Sequence, residues 1–417
     1  MLNNQLNKWI KKQNILNNLS VKKLSHKKLK QWNYTNLEIA HKKKIFFKIL
    51  PFEFKKQNKR WFQPLIIQKE EGILGIIKKR ISNKEYYLFQ AKAEPGNINN
   101  VQISPTVQAT KSNYLKKHGG KKTLYLDYFL KKNKNIKILS NLRLSEQGTR
   151  FFNKKNRNIL IEIHNLRLKK NKNFIWLCKE ELKFLLKKRN ILNMDSISVF
   201  SSIIKKNNID NPLKVLNDLI ILIKLSTKNL KIKKKIVKFS VLKNWIFKDY
   251  EILDKYKKFF SIFFIKILAK NREVKYWDQP IISDHNKSLN IFIVSKINET
   301  NHYLLKVVNE PGFVSPKFTA TISEKNFLHH NFKKIRFYKF LKKKNYLLNI
   351  TNSDEGGRFY KNQTVNIICN VNNYRKINFP KSYIWASHNQ IIELINKNLL
   401  TIEARNLFAC FNIDKIK

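Results

Sequence analysis

A mixed α/β fold present twice in one chain is what the sequence predicts, and three observations lead there. The 417 residues are 42% hydrophobic and 12% aromatic, too rich in core-forming side chains for a disordered basic tail. That length suits two or three domains, each able to bury its own core. The third observation is an internal duplication. Leu29-Lys30-Gln31-Trp32 recurs as Leu242-Lys243-Asn244-Trp245, and Trp61-Phe62-Gln63-Pro64 recurs as Trp277-Asp278-Gln279-Pro280. Glu94-Pro95-Gly96 recurs as Glu310-Pro311-Gly312, and Phe174-Ile175-Trp176 as Tyr383-Ile384-Trp385. Ser145-Glu146-Gln147-Gly148-Thr149-Arg150-Phe151 recurs as Ser353-Asp354-Glu355-Gly356-Gly357-Arg358-Phe359. The order is kept and the offsets stay between 208 and 216, a period that marks repeated domains rather than turns of a solenoid.

Taken in order, residues 1–28 read as an N-terminal extension and 29–205 as the first copy. Inside it Tyr86–Phe89 and Ile159–Ile163 read as strands, and Glu180–Arg189 as an amphipathic helix. Strands mixed with isolated helices are what a mixed α+β domain requires. Between the copies, 206–241 places Val215, Leu216, Leu219, Leu222 and Ile223 at helical spacing before a lysine run. That segment reads as a connecting helix and Lys-rich linker, with the second copy at 242–417.

The net charge is +57, from 85 Lys+Arg against 28 Asp+Glu. Of those cations 73 are Lys and only 12 are Arg, spread over nearly every polar stretch, with Asn and Ile inflated beside Lys. All three are spelled by A/T-rich codons, so the excess reads as a solvated surface rather than a shaped nucleic-acid patch. A basic RNA-binding or ribosomal protein of an A/T-rich genome is the rival reading, carried by charge alone. Cys178, Cys369 and Cys410 are too few and too scattered for a disulfide framework or a zinc knuckle, which fits a reducing compartment. Met1–Ile10 lacks the apolar region of a signal peptide, and the runs Leu219–Leu225 and Phe259–Leu268 are short and broken by Lys224 and Lys266. A soluble, cytoplasmic protein is expected, with no membrane partner.

One set of motifs is specific. Trp61-Phe62-Gln63-Pro64, Gly72-Ile73-Leu74-Gly75, the runs Gln90–Asn97 and Gln102–Tyr114, His118-Gly119-Gly120, Ser145–Gly148, Lys154–Asn158 and Asn193-Met194-Asp195 together resemble the NDP-hexose 2,3-dehydratase family of deoxysugar biosynthesis. The resemblance implies two tandem Nudix-like modules without the metal-binding Nudix box, and no Glu-rich box is present here. It further implies an NDP-4-keto-6-deoxyhexose substrate, dTDP-linked, with no metal and no cofactor. A homodimer, a downstream 3-ketoreductase and no specific nucleic acid complete the implied partners. The second copy departs from the pattern: Phe318–Ser323 replaces the Pro-Thr-Val-Gln-like stretch and Gln363–Asn366 replaces the Asn-Arg segment; in the first copy the early His-x-x-Gly segment is worn to His41–Phe47.

The implied reaction removes the C3 proton and the C2 hydroxyl, and the substrate's own C4 ketone is the electron sink. The protein must supply a base, donors for the enolate oxygen, a proton for the departing hydroxyl and cations for the diphosphate. The catalytic candidates are His118, Tyr114, Lys92 and Glu146. An imidazole suits acid/base work near neutral pH, and His118 stands beside an open glycine turn, but it reads equally as a surface-loop histidine. Lys92 has no polar counterpart in the second copy, where Val308 aligns. Glu146 serves as a base or, since Asp354 matches it, as a structural group. Glu94 reads as a turn brace. Substrate-binding candidates are Gln90, Asn97, Gln108, Ser112, Asn113, Arg150, Asn156, Arg157 and Arg358, the arginines because a guanidinium grips diphosphate oxygens bidentately or else closes a salt bridge in the fold. Because the polar elements survive only in the first copy, catalysis is expected there.

Overall fold

The computed structural model describes residues 2–114, 123–272, 274–327, 333 and 335–417. It is mixed α+β, with two small and two large sheets, one of each per copy. In the first copy Trp32–Tyr34, Ile39–His41, Lys48–Lys56 and Lys59–Ile67 form the small antiparallel sheet. The large sheet is centred on Gly72–Ile81 and Lys155–Ile163, which run parallel. Ile76 and Ile77 pair with Leu160 and Ile161 there, and together with Ile73, Leu74 and Ile159 all are buried, the near-continuous apolar run of strands covered on both faces. Ile136–Ser145 and Lys84–Ala93 flank this pair, and Phe174–Leu177 lies beyond the latter. The second copy repeats the plan around the parallel pair Ser288–Ile297 and Gln363–Asn370. The strands read at Tyr86–Phe89 and Ile159–Ile163 lie within Lys84–Ala93 and Lys155–Ile163. The helix read at Glu180–Arg189 is Lys179–Lys187, its start capped by Glu181, which accepts the Cys178 backbone N–H at 2.9 Å.

Two strands cross between the copies. Leu19–Leu24 pairs antiparallel with Phe260–Ala269 in the second copy's small sheet. Lys233–Ile236 pairs antiparallel with Lys48–Lys56 in the first copy's small sheet. Each of these strands follows a 15-residue helix, Leu2–Leu16 and Leu216–Leu230, so the exchange is reciprocal. Lys233, Lys234 and Lys235 suit this place because edge strands tolerate lysine, which blocks further pairing.

The largest apolar cluster is also common to both copies. It joins Tyr87, Phe89 and Phe200 of the first with Phe292, Tyr303 and Phe408 of the second. At its centre the helices Met194–Ser201 and Ile402–Phe411 pack together, and all eight residues of the former are buried. Among the described residues no helix is long and apolar enough to cross a membrane.

The two repeated turns meet across this junction. The Gly96 N–H donates to the Gly356 carbonyl at 2.7 Å and the Lys361 N–H donates to the Gly96 carbonyl at 2.8 Å. Symmetrically, the Gly312 N–H donates to the Gly148 carbonyl at 2.6 Å and the Asn153 N–H to the Gly312 carbonyl at 2.8 Å. A Cβ on Gly96 would be driven into the Phe359 carbonyl, and one on Gly312 into that of Phe151, so only glycine permits the approach. Gly312→Ala is therefore expected to cost about 1–3 kcal/mol of stability. A thermal melt reads this, and an unchanged midpoint would refute the close-packing account.

Candidate active site

The junction holds a cavity of about 130 Å³. Each wall has a local cause. Glu146 follows the strand Ile136–Ser145, and its N–H donates to the Lys154 carbonyl at 3.0 Å, which sets it facing the start of Lys155–Ile163. Asn156 on that strand is fixed at both ends of its amide: the Gly72 N–H donates to Asn156 Oδ1 at 2.9 Å, and Asn156 Nδ2 donates to Glu146 Oε1 at 2.7 Å. Lys92 comes from Lys84–Ala93, and Gln108 from the short strand Val107–Ala109. Asp195 sits in the first turn of Met194–Ser201, where Asn193 Oδ1 caps the helix by accepting the Asp195 N–H at 2.7 Å. The second copy closes the cavity with Glu355 and Arg358.

Four carboxylates and three cations thus line one space. Lys92 Nζ lies 2.9 Å from Glu94 Oε1, and that ion pair keeps the Glu94 carboxyl below its ordinary range in spite of burial. Glu355 faces Glu94 from the other copy, and burial together with that neighbouring charge pushes its carboxyl well up. Asp195 is pushed well up by burial and by the charges of Glu146 and Glu94. Glu146 is raised by burial against the pull of Arg405, Lys154 and the Asn156 amide. The Lys154 ammonium is only 6% exposed, donates to the Glu70 carbonyl, and is pulled down to about 8 by burial. Arg358 donates to the Gly357 carbonyl at 3.0 Å and lies 4.2 Å over the Phe47 ring. Its buried Nε has no partner, and among the described residues no carboxylate stands within ion-pair distance of it. Such a guanidinium is a ready anion ligand.

Of the residues singled out from sequence, Lys92, Glu146, Gln108, Asn156 and Arg358 are brought together on this cavity. The others are placed elsewhere. Gln90 Nε2 donates to the Pro105 carbonyl at 2.9 Å, and Asn97 Nδ2 braces its own turn through the Lys92 and Asn100 carbonyls. Ser112 donates through its hydroxyl to Glu70 Oε2 at 2.8 Å. Arg150 is paired with Asp284 at 2.6 Å, and Arg157 is half-buried, reaching Asn141 at 3.4 Å. His118 lies outside the described residues, as do the side chains of Asn113 and Tyr114. Asp195, Lys154 and Glu355 were not singled out. Asp195 and Lys154 fall inside the quoted motifs, and Glu355 differs in charge from its counterpart Gln147, which is the signal that marks it.

The equivalent place in the second copy is a smaller cavity of about 30 Å³, room for about two waters. In the aligned sequences Glu310, Asp354, Glu403 and Arg150 match Glu94, Glu146, Asp195 and Arg358 of the first site, and of these Asp354 and Glu403 line the smaller cavity. Its charges are already spent internally: Lys325 pairs with Glu403 at 3.1 Å and Arg150 with Asp284, which replaces Gln68. Among the described residues no group of three or more His, Cys, Asp or Glu is placed to hold a metal ion.

A family model described as NDP-hexose 2,3-dehydratase matches residues 3–203 and again 217–411. The chain belongs to that family. A dTDP-4-dehydro-6-deoxy-alpha-D-glucopyranose 2,3-dehydratase from Saccharopolyspora spinosa is 29% identical over 390 residues, covering 84% of this chain and 78% of the relative. Enzymes of the same name from Streptomyces violaceoruber and Amycolatopsis orientalis are each 28% identical, covering 89% and 97% of this chain and 88% and 89% of their own lengths. Both matched segments begin on the 15-residue helices, ahead of the exchanged strands.

Proposed function

We propose that the chain is a sugar-nucleotide 2,3-dehydratase of deoxysugar biosynthesis, acting on dTDP-4-keto-6-deoxyglucose to give the 3,4-diketo-2,6-dideoxyhexose. The observation that carries this is the convergence of Glu146, Lys154, Glu355 and Arg358 on one buried cavity. Glu146 takes the C3 proton, and the electron pair becomes the enolate of the C4 ketone, whose oxygen Lys154 and Lys92 stabilise. The enolate collapses to a C2–C3 double bond as the C2 hydroxyl departs, taking its proton from Glu355 or Asp195 and leaving as water. The resulting C3 enol gains a proton at C2 and loses one from its oxygen, which gives the diketone; His118 and Tyr114 are candidates for that exchange. Carboxyls whose surroundings push them apart divide naturally into base and acid. Arg358 takes the diphosphate.

Several finer points accompany this reading. The mixed sheets built on parallel central pairs support a Nudix-like assignment for each module. The three cysteines are free and buried, which suits the reducing cytoplasm. The strand Ile136–Ser145 ends its sheet with one side unpaired, an edge that a second copy can cover in a homodimer. The electrophilic diketone passes to a 3-ketoreductase. Incubation with dTDP-4-keto-6-deoxyglucose and such a reductase is expected to yield a 2-deoxysugar. No turnover, together with RNA binding that survives about 0.5 M salt, would replace this reading with the rival one.

A further inference from the structure

The residue before Glu146 is gripped by the other copy. The Ser145 backbone N–H donates to Asn398 Oδ1 at 2.9 Å, and Asn398 Nδ2 donates to Ser145 Oγ at 3.1 Å. Arg405 Nη1 donates to the Ser145 carbonyl at 2.9 Å, so all three polar groups of Ser145 are held by the second copy. Arg405 lies on Ile402–Phe411 and is 1% exposed. Its Nη2 donates to Ser198 Oγ at 3.0 Å, while its buried Nε has no partner.

The pseudo-symmetry of the chain shows that folding alone does not call for this cation. Aligning Met194 with Ile402 and Asp195 with Glu403 puts Ile197 opposite Arg405. Ile197 is 2% exposed, so an apolar side chain fills the same place in the other helix. Asn190, which matches Asn398, leaves its buried Oδ1 without a partner. The double grip is confined to the side that carries the larger cavity. Burying an arginine is costly and is offset only by its partners.

We propose that Asn398 and Arg405 are positioning residues for Glu146, together fixing where its carboxylate sits through their grip on Ser145. This rests on Glu146 being the base. The charged groups facing Glu146 are Lys154 from its neighbouring strand, Arg405 and Glu403 from Ile402–Phe411, and Asp195 from Met194–Ser201. Lys317, on the strand Lys317–Thr319, faces Arg405 in turn. Arg405 is the foremost of the pulls that offset the burial of Glu146. Removing it lets the Glu146 carboxyl rise, so the base is lost at higher pH on acidification.

The test uses the full chain with dTDP-4-keto-6-deoxyglucose. Arg405→Met and Asn398→Ser should each lower kcat by about 10- to 100-fold with KM changed by less than about threefold, the signature of a misplaced catalytic group. Only Arg405→Met should move the acid limb of the pH–rate profile to higher pH. Arg405→Lys should restore the limb without restoring full kcat, because an ammonium replaces the charge but not the forked geometry. If Arg405→Met fails to fold by circular dichroism, Asn398→Ser and Arg405→Lys carry the test. Unchanged kcat and an unmoved limb in a system where Glu146→Gln is inactive would overturn the clamp alone. Turnover by Glu146→Gln would overturn the base assignment, and the clamp with it.

Discussion

Glu146→Gln is expected to lower kcat by about 10²–10⁴-fold with KM close to its normal value. The amide keeps the shape and can still accept from Asn156 Nδ2 through its oxygen, so the pocket is preserved. What is lost is the group that receives the C3 proton. In the unaltered chain the same carboxyl, raised by burial, must be ionised to act. Activity should therefore fall on acidification at a higher pH than an ordinary carboxylate would give. On the alkaline side Lys154 sets the limit: its ammonium stabilises the enolate while protonated, and kcat/KM should decline above about 8. Solvent deuterium entering C3 of recovered substrate provides an independent reading. Exchange at the normal rate in Glu146→Gln would mean that another group removes the proton.

Glu355→Gln should have an effect of similar size, about 10²–10³-fold on kcat, although the residue belongs to the copy that lacks most of the site. Its carboxyl is pushed well up by burial and by Glu94, so it keeps its proton to higher pH than an ordinary carboxyl and can hand it to the departing C2 hydroxyl. Glutamine keeps the acceptor for the Gly357 N–H, a bond of 2.9 Å. The fold already accepts that side chain, since Gln147 holds the matching place in the first copy. A substrate bearing fluorine in place of the C2 hydroxyl separates acid catalysis from general damage. Fluoride leaves without a proton, so Glu355→Gln should lose much less with the fluorinated sugar. An equal loss with both substrates would remove Glu355 from the role of acid.

The duplication and the central strands were legible because they rest on scarce residues and on long apolar runs. Ile159–Ile163, for instance, is buried over four of its five residues. The exchanged strands were not. Lys233–Ile236 has lysine at three of four positions and no alternation, because it borrows its pairing from a strand about 180 residues earlier. In the site the limit was parity and partnership rather than residue type. Asn156 and Arg157 are neighbours on one strand, so one enters the cavity and the other reaches solvent. Arg150 and Arg358 are equivalent in sequence, and only the presence of Asp284 opposite Arg150 decides that one is neutralised and the other left available. Glu355 was hidden because its role depends on the turn it meets in the other copy, which no local pattern encodes.

The reciprocal exchange of Leu19–Leu24 and Lys233–Ile236 has the geometry of a swapped dimer drawn on a single polypeptide. In a dimer of identical modules any residue introduced on one side of the axis must be present on the other, so both sites improve or decay together. Covalent linkage lifts that constraint. Arginine can stand at position 405 while isoleucine stands opposite it at 197, and one cavity can be sealed by its own ion pairs without harm to its twin. Two chains carrying only the first or only the second half, expressed together, should find each other through the missing strands, whereas either alone presents an open sheet edge and half a core. The asymmetry of this molecule is thus something that only a fused chain can hold.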